Sequence, residues 1–495
     1  MRKHLGALTR NVAIYGAGDV AVTAVGFLLL PVYMRHLTQE DYGALALLIG
    51  VEAIAKIFFR WGLDGAFMRF YHDRVTPEAR VLLTSTLCLF LLAAAGGLLA
   101  LGLALSGTLA AYLFPEAPDR YLSALRLVLI NTFLLTFTFV PYQVMRLEGR
   151  ALTFSALSFA RSVASVTLKF ALVVNAGWGL TGFMAADLIV TVGMLPWLWP
   201  WTRPLLGPVF STAELRQCLR FGLPRLPHGL AQQALDAGNK VLLNRYVPLS
   251  GLGVYQISST IGQSIKFFLS AFETGWAPFY YETARTPDAP VTFSKITTYG
   301  VAILALMVAG LTAITPDLMR LLTMGSPWTG DAHADAAMIV PLIGLGIACQ
   351  GVYLLTSIGL NLTSQTQFYP VSAFAAAAVG LGSGLWLMPA FGAVGAAVAF
   401  LLSYVTLAAT AGAFAHYHYR VHYETARLLR VLGAAVLAAS AGVMLPALPP
   451  LAGVLVRGAS VMAVFIGLLS LTGFLRVTER ALLSRVVRRL AGRAI

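Results

Sequence analysis

The sequence predicts an all-α polytopic membrane protein of about 14 transmembrane helices, built as two parallel six-helix lobes plus a C-terminal helix pair. Three observations carry this. Of 495 residues, 58% are hydrophobic and only 11% charged, where a soluble protein carries roughly a quarter charged residues. Apolar runs long enough to span a bilayer as helices recur from end to end. The third is an internal repeat whose period is six runs, an even number. The halves are then parallel, related about an axis along the membrane normal, which is the architecture of transporters that rock two lobes about a site between them.

The net charge of +14 is a matter of topology and not of nucleic-acid binding. With the N-terminus cytoplasmic, inner tails and loops hold about 23 of the 35 Lys and Arg residues, outer loops hold Arg35, Arg120, Arg245, Arg320 and Arg457, and the rest lie within spans. This bias places both termini on the cytoplasmic side of the membrane. The cysteines Cys88, Cys218 and Cys349 are far apart, so no disulfide or metal cluster is expected. The run from Asn11 to Val32 is too long for a signal-peptide core and is read as a retained first span.

In chain order, span 1 (Asn11–Val32) carries Asp19, and the loop RHLTQEDYG leads into span 2, a continuous helix from Tyr42 to Phe70. Span 3 is Val81–Leu105. Span 4, about 121–144, holds Arg126 in its outer half. Span 5, about 152–174, holds Arg161 and Lys169, and span 6, about 179–198, holds Asp187. Span 7 opens with FGLPRLPHGL, where Pro224 and Pro227 should distort the first turns. Span 8, about 252–280, carries Lys266 and Glu273. Spans 9 to 12 are expected to hold no charge, with Asp317, Arg320, Asp331 and Asp335 in an outer loop. The tail carries six arginines and reads as an amphipathic surface helix on anionic lipid. The divisions are residues 1–200 (first lobe), 201–220 (linker), 221–414 (second lobe), 415–430 (linker), 431–474 (spans 13 and 14) and 475–495 (basic tail). No loop has room for a soluble catalytic domain, so no enzyme is expected. The tryptophans 197, 199 and 201 in PWLWPW read as an interfacial belt.

The repeat is visible without gaps at a shift of 210 residues. Arg10 falls on Arg220, Arg35 on Arg245, Gly43 on Gly253, Lys56 on Lys266 and Gly65 on Gly275. At a shift of 213, WGLTG at 178–182 falls on FGAVG at 391–395, each opening the sixth span of its half.

Span 2 stands out. Glu52, Lys56, Arg60 and Asp64 follow one another at steps of four, which places them on one helical face. Charge is costly in hydrocarbon, so such a row must face protein or water and marks a functional site by default. The plain alternative is a ladder of ion pairs that holds helices together. Span 7 repeats the pattern with His228, Gln232, Asp236 and Lys240.

The opening of the chain, with Tyr15-Gly16, Leu-Pro-Val-Tyr at 30–33, RHLTQEDYG and GAFMRFY at 65–71, resembles bacterial polysaccharide-biosynthesis exporters, the oligosaccharide flippases of the multidrug/oligosaccharidyl-lipid/polysaccharide superfamily. FGLPRLPHGL and the paired G-x-x-G span openings are similar to the same family. The resemblance implies translocation of a polyprenyl-linked oligosaccharide from the cytoplasmic to the outer leaflet. It also implies a groove for the polyprenyl tail at spans 13 and 14, polysaccharide polymerase or assembly proteins as partners, and a unit that works as a monomer. Lipid II flippases share the 14-span plan, so that substrate stays open. Drug exporters of the superfamily usually have 12 spans.

A lipid phosphate needs cations in a wet cavity, with Arg as a bidentate partner and Lys as a point charge. The candidates are Lys56, Arg60, Arg161, Lys169, Arg225, Lys240 and Lys266, with Arg126 near the outer end as a residue that snorkels instead. Lys56 and Lys266 lead, because the repeat places them opposite one another. The acids Asp19, Glu52, Asp64, Asp187, Asp236 and Glu273 neutralise these cations or carry a coupling proton or sodium ion. Asp19 and Asp187 have no cation at helical spacing on their own spans, which favours them for coupling. No other cofactor is expected. A membrane-embedded polymerase or ligase would need larger outer loops. A drug antiporter would have a more acidic and aromatic site.

Overall fold

The computed structural model describes residues 29–233, 237–324, 326, 328 and 331–474. Span 1 apart from its last residues, with Asp19, and the basic tail lie outside them, as does Asp236. The described residues are helical with no strand. The helices in order are α1 (Leu30–His36), α2 (Gln39–Arg60), α3 (Leu63–Phe70), α4 (Pro77–Ala104), α5 (Ser106–Leu113), α6 (Pro118–Leu147), α7 (Ala151–Phe170), α8 (Gly179–Thr202), α9 (Thr212–Gly222), α10 (Leu226–Gln233), α11 (Asn239–Leu243), α12 (Leu249–Gly262), α13 (Lys266–Thr283), α14 (Ala289–Leu322), α15 (Asp331–Thr356), α16 (Ile358–Leu362), α17 (Phe368–His418), α18 (Thr425–Val443) and α19 (Pro450–Leu471). Ten helical stretches among the described residues are long and apolar enough to cross a membrane. Of the expected 14, span 1 lies largely outside the described residues, spans 7 and 8 are broken into short helices, and α17 joins two apolar stretches across a kink at Gly392.

Local chemistry sets the helix starts. Thr38 and Asp41 form a reciprocal capping box at α2 (Thr38 N to Asp41 Oδ2 3.0 Å, Asp41 N to Thr38 Oγ1 3.2 Å). Thr76 caps α4, whose first residue is Pro77, and Ser211 caps α9. The chain forms two compact units. Of the described residues, one comprises those up to Ile257, Leu322–Asp335 and Ala373–Ser403; the other comprises Ser258–Leu321, Ala336–Ser372 and those from Tyr404 onward.

In the first unit, the expected continuous span 2 is broken. Trp61 (φ 52°) and Gly62 (φ 67°) adopt the left-handed conformation between α2 and α3. The turn is held by a backbone approach from a distant segment: a Cβ on Gly62 would lie 2.5 Å from the Gly222 carbonyl oxygen, and one on Gly222 would lie 2.8 Å from that of Trp61. A left-handed tryptophan costs about 1–2 kcal/mol, offset by packing of its ring edge-on to Phe90 at 5.8 Å. Pro224 gives the expected distortion, a 3₁₀ turn at Leu223–Arg225 ahead of α10.

The repeat reappears as matched backbone contacts. A Cβ on Gly43 would strike the carbonyl of Leu249, and a Cβ on Gly253 would strike that of Gln39. Leu249 is Gln39 shifted by 210, so the starts of α2 and α12 cross in a reciprocal contact between equivalent residues. The two G-x-x-G openings match likewise. Gly179 and Gly392 have φ of 53° and 52°, and Gly182 and Gly395 pack against residues just before the break.

In the second unit, α18 and α19 pack on α14 through Ala302, Ala309, Ala313, Val431, Ala438 and Val461. Asp317, Arg320 and Arg457, expected in outer loops, are in fact inside helices. Asp317 of α14 is fully buried and pairs with Arg457 of α19 at 2.7 Å, and Arg320 binds its other oxygen at 3.2 Å. Arg457 also donates to the carbonyls of Gly442, Val443, Leu445 and Pro446, closing the C-terminus of α18. Span 9 therefore does hold charge, contrary to the sequence expectation, because the pair and the carbonyls satisfy it internally.

Candidate functional site

The site is built on α2, α6, α7 and α8 of the first unit. On α2, Glu52, Lys56 and Arg60 keep their spacing of four and share a face, while Ile54 and Phe58 on the other side are exposed. On α7, Ser158, Arg161, Ser162, Ser165 and Lys169 recur at helical steps and make a second polar stripe. The two stripes face a cavity of about 620 Å³, completed by Tyr142, Gln143 and Arg146 of α6 and Asp187 of α8. Five cations (Lys56, Arg60, Arg146, Arg161, Lys169) line it against two carboxylates (Glu52, Asp187). Glu52, Lys56 and Arg60 also line a second cavity of about 480 Å³, with Asp64 and with Leu226, Gly229 and Gln233 of α10.

The charges divide into paired and unpaired. Lys169 Nζ lies 2.9 Å from Asp187 Oδ2, Ser165 Oγ donates to Asp187 Oδ1 at 2.7 Å, and the ammonium sits 4.1 Å from the centre of the Phe183 ring. Asp187 thus has a cation, supplied by the neighbouring helix and not by its own. Arg60 reaches Asp64 across the break at 3.6 Å and the Leu135 carbonyl at 3.5 Å. Its Nε and the Gln143 Oε1 are buried without a hydrogen-bond partner among the described residues. Lys56 and Arg161 make no ion pair or hydrogen bond with any described residue. Arg146 stacks its guanidinium over Phe154, 4.4 Å from the ring centre. Unpaired guanidinium and ammonium groups in a polar, roomy cavity are suited to holding a multiply charged anion.

The other candidates lie elsewhere. Lys240 is buried in α11, outside both cavities. Lys266 opens α13 in the second unit, where its ammonium donates to Gln263 at 2.8 Å, and Glu273 is exposed on the same helix. Arg126 lies outside the cavity and donates to Ser106 at 3.0 Å. Arg225 closes the 3₁₀ turn, but its side chain, like those of His228 and Gln232, is outside the described residues. Sequence reasoning missed Arg146, which lies just beyond the expected end of span 4, and the serines of α7. The serines were detectable, because with Arg161 and Lys169 they complete a polar face at steps of three and four.

Among groups outside the spans, Arg74 donates to Glu214 at 2.8 Å and to Gln217 at 2.9 Å, tying the turn after α3 to α9. The Glu214 hydrogen bond raises the Arg74 guanidinium above its ordinary value. Burial, reinforced by Glu214, pushes the Cys218 thiol up to about 11.

The family model described as "Polysaccharide biosynthesis protein" matches residues 32–333. No curated protein matches the chain. Among solved structures, the chain is similar to a lipid II flippase, MurJ, in an inward closed conformation (TM-score 0.69, 12% identity, covering 93% of this chain and 99% of that one). It is also similar to an inward-facing multidrug resistance MATE family transporter of the MOP superfamily (TM-score 0.64, 16% identity, 79% and 93% covered). A third is a MOP superfamily transporter from Pyrococcus furiosus whose binding pocket is described as having reverse polarity (TM-score 0.54, 15% identity, 86% and 96% covered). At these identities the likeness is one of fold. The chain is a multi-pass membrane protein with the fold of the MOP transporters, and it belongs to the polysaccharide biosynthesis protein family.

Proposed function

We propose that this protein is a flippase that moves a polyprenyl-phosphate- or pyrophosphate-linked oligosaccharide from the cytoplasmic to the outer leaflet by alternating access, in surface polysaccharide biosynthesis. The observation that carries the reading is the cavity of the first unit, where five cations face two carboxylates and Lys56 and Arg161 have no partner among the described residues. A lipid-linked glycan offers a phosphate for these cations and hydroxyls for the serines of α7. Family membership supports the polysaccharide pathway, and the fold shared with a lipid II flippase supports lipid translocation. Lys56, Arg60, Arg161 and Lys169 then hold the headgroup phosphate, with Arg225, Lys240 and Lys266 engaging it at other stages of the cycle. A bacterial inner membrane, cytoplasmic termini, a monomeric unit and polymerase or assembly partners belong to the same reading.

Coupling to protons or sodium falls to acids that change partners. Asp187 fits this because a phosphate reaching Lys169 competes for the ammonium it now holds. Asp19, Glu52, Asp64, Asp236 and Glu273 complete the acidic set. A cation antiporter of small molecules on the same scaffold is the second reading, since the fold is shared with MATE transporters. The cationic excess weighs against it, because an organic cation would meet repulsion in this cavity.

The test is the leaflet distribution of lipid-linked glycans in cells lacking the gene, probed with an impermeant glycan-modifying reagent. The reading predicts accumulation on the cytoplasmic face, and Lys56→Ala failing to restore outward movement while inserting normally. An unchanged outer-leaflet pool in cells cleared of redundant transporters would overturn it.

A further inference from the structure

We infer that the hydrocarbon chain of the anionic lipid leaves the cationic cavity through the seam between α7 and α8, and lies in an apolar groove on the outer face of α7, in place of the groove at spans 13 and 14 that the resemblance implies. This rests on the preceding reading that the substrate is an anionic lipid. α7 has two unlike faces. Ser158, Ser162, Ser165 and Lys169 point to the cavity. About half a turn away, at 100° per residue, Ala160, Val163, Ala164, Thr167 and Ala171 line a groove of about 670 Å³. Val190 of α8 lines both spaces, so the cationic cavity and the groove adjoin at this side chain. Phe159 and Leu168 border the groove, and the three alanines leave room between them.

Leu157 and Leu168 of α7 pack against the buried cluster of Met145, Val190, Met194 and Leu198, and a polar stitch is added at Asp187. The Lys169–Asp187 ion pair and the Ser165–Asp187 hydrogen bond join α7 to α8. A phosphate in the cavity competes with Asp187 for Lys169, and so loosens the stitch beside the path the chain must take. The helix is also jointed at both ends. Gly149 (φ 71°) precedes it. A π turn at Ala171–Asn175, then Gly177 (φ 68°) and Gly179 (φ 53°), follow it. A Cβ on any of these three glycines would meet nothing within 4 Å, so both joints are open. Continuity with a cationic cavity distinguishes this groove from an ordinary lipid-facing surface.

The test uses the purified full-length protein with two probes, undecaprenyl phosphate and the short dimethylallyl phosphate. Ala160→Trp and Ala164→Trp fill the groove without touching the cavity lining. They are expected to weaken undecaprenyl phosphate binding by 10-fold or more, about 1.4 kcal/mol at the least, and to leave dimethylallyl phosphate unchanged. Lys56→Ala is expected to weaken both. If Lys56→Ala weakens both and the tryptophan variants bind undecaprenyl phosphate like wild type, the groove is overturned and the anionic-lipid reading stands. If wild type binds neither probe, both fall. A photo-crosslinker at Ala164 tests the groove without filling it. Adducts with undecaprenyl phosphate that excess unlabelled probe competes away support it, and adducts with bulk phospholipid alone overturn it.

Discussion

Replacing Gly43 or Gly253 with alanine probes the crossing of α2 and α12, where the internal repeat becomes a physical contact. A Cβ at Gly43 would lie 2.9 Å from the Leu249 carbonyl carbon and 3.1 Å from its Cδ1, and closer still to the carbonyl oxygen. The Gly253 side is equivalent, with the Gln39 carbonyl carbon 2.8 Å away and Gly43 N 3.1 Å away. Backbone cannot yield as a flexible side chain does, so the helices must part by about 1 Å, at the roughly 1–3 kcal/mol typical of overpacking. Each single variant is expected to lose that much stability in chemical unfolding from detergent micelles. The double variant should lose little more than either single, because helices parted for one methyl group already accommodate the other. Fully additive losses would refute the reciprocal contact, and so would two neutral variants.

Three further outcomes follow from the same geometry. Asp317→Asn leaves the buried Arg457 without its counter-charge and is expected to cost about 3–5 kcal/mol in the same unfolding assay, with Arg457→Met in the Asp317→Asn background recovering part of it; a loss below about 1 kcal/mol would contradict the clamp. Gly62→Ala combines a left-handed φ of 67° with a Cβ 2.5 Å from the Gly222 oxygen, so it should destabilise by at least about 1–2 kcal/mol, and a neutral result would mean the α2–α3 turn is misassigned. With its thiol pushed up to about 11 by burial, Cys218 has less thiolate near neutral pH than an ordinary cysteine. N-ethylmaleimide should therefore leave it unmodified in the folded protein at pH 7 and label it after denaturation; rapid labelling of the folded protein would refute this.

Much of the cavity was legible in the sequence, because charge inside an apolar run must find protein or water. Glu52, Lys56 and Arg60 on one helix, and Arg161, Lys169 and Asp187 on two others, surround the same space. The register of the repeat was legible too, in Gly43 with Gly253 and Gly179 with Gly392. What stayed hidden depends on long-range contacts. The break at Trp61–Gly62 needs Gly222, 160 residues away along the chain. The partner of Asp187 sits on another helix. Arg457 and Asp317 looked like loop charges because each lies near the end of an apolar run, and only the packing of α19 on α14 brings them together.

Transport by the purified protein in proteoliposomes tests the central claim most directly. An undecaprenyl-linked glycan is placed in one leaflet and its exposure in the other is followed with an impermeant glycan-modifying reagent. The account predicts movement with wild type, and a loss of about 10- to 150-fold with Lys56→Ala or Arg161→Ala, the value of one charge-assisted contact of about 1.5–3 kcal/mol. A protein that leaves the glycan lipid in place, while exchanging organic cations at rates indifferent to Lys56, would contradict it.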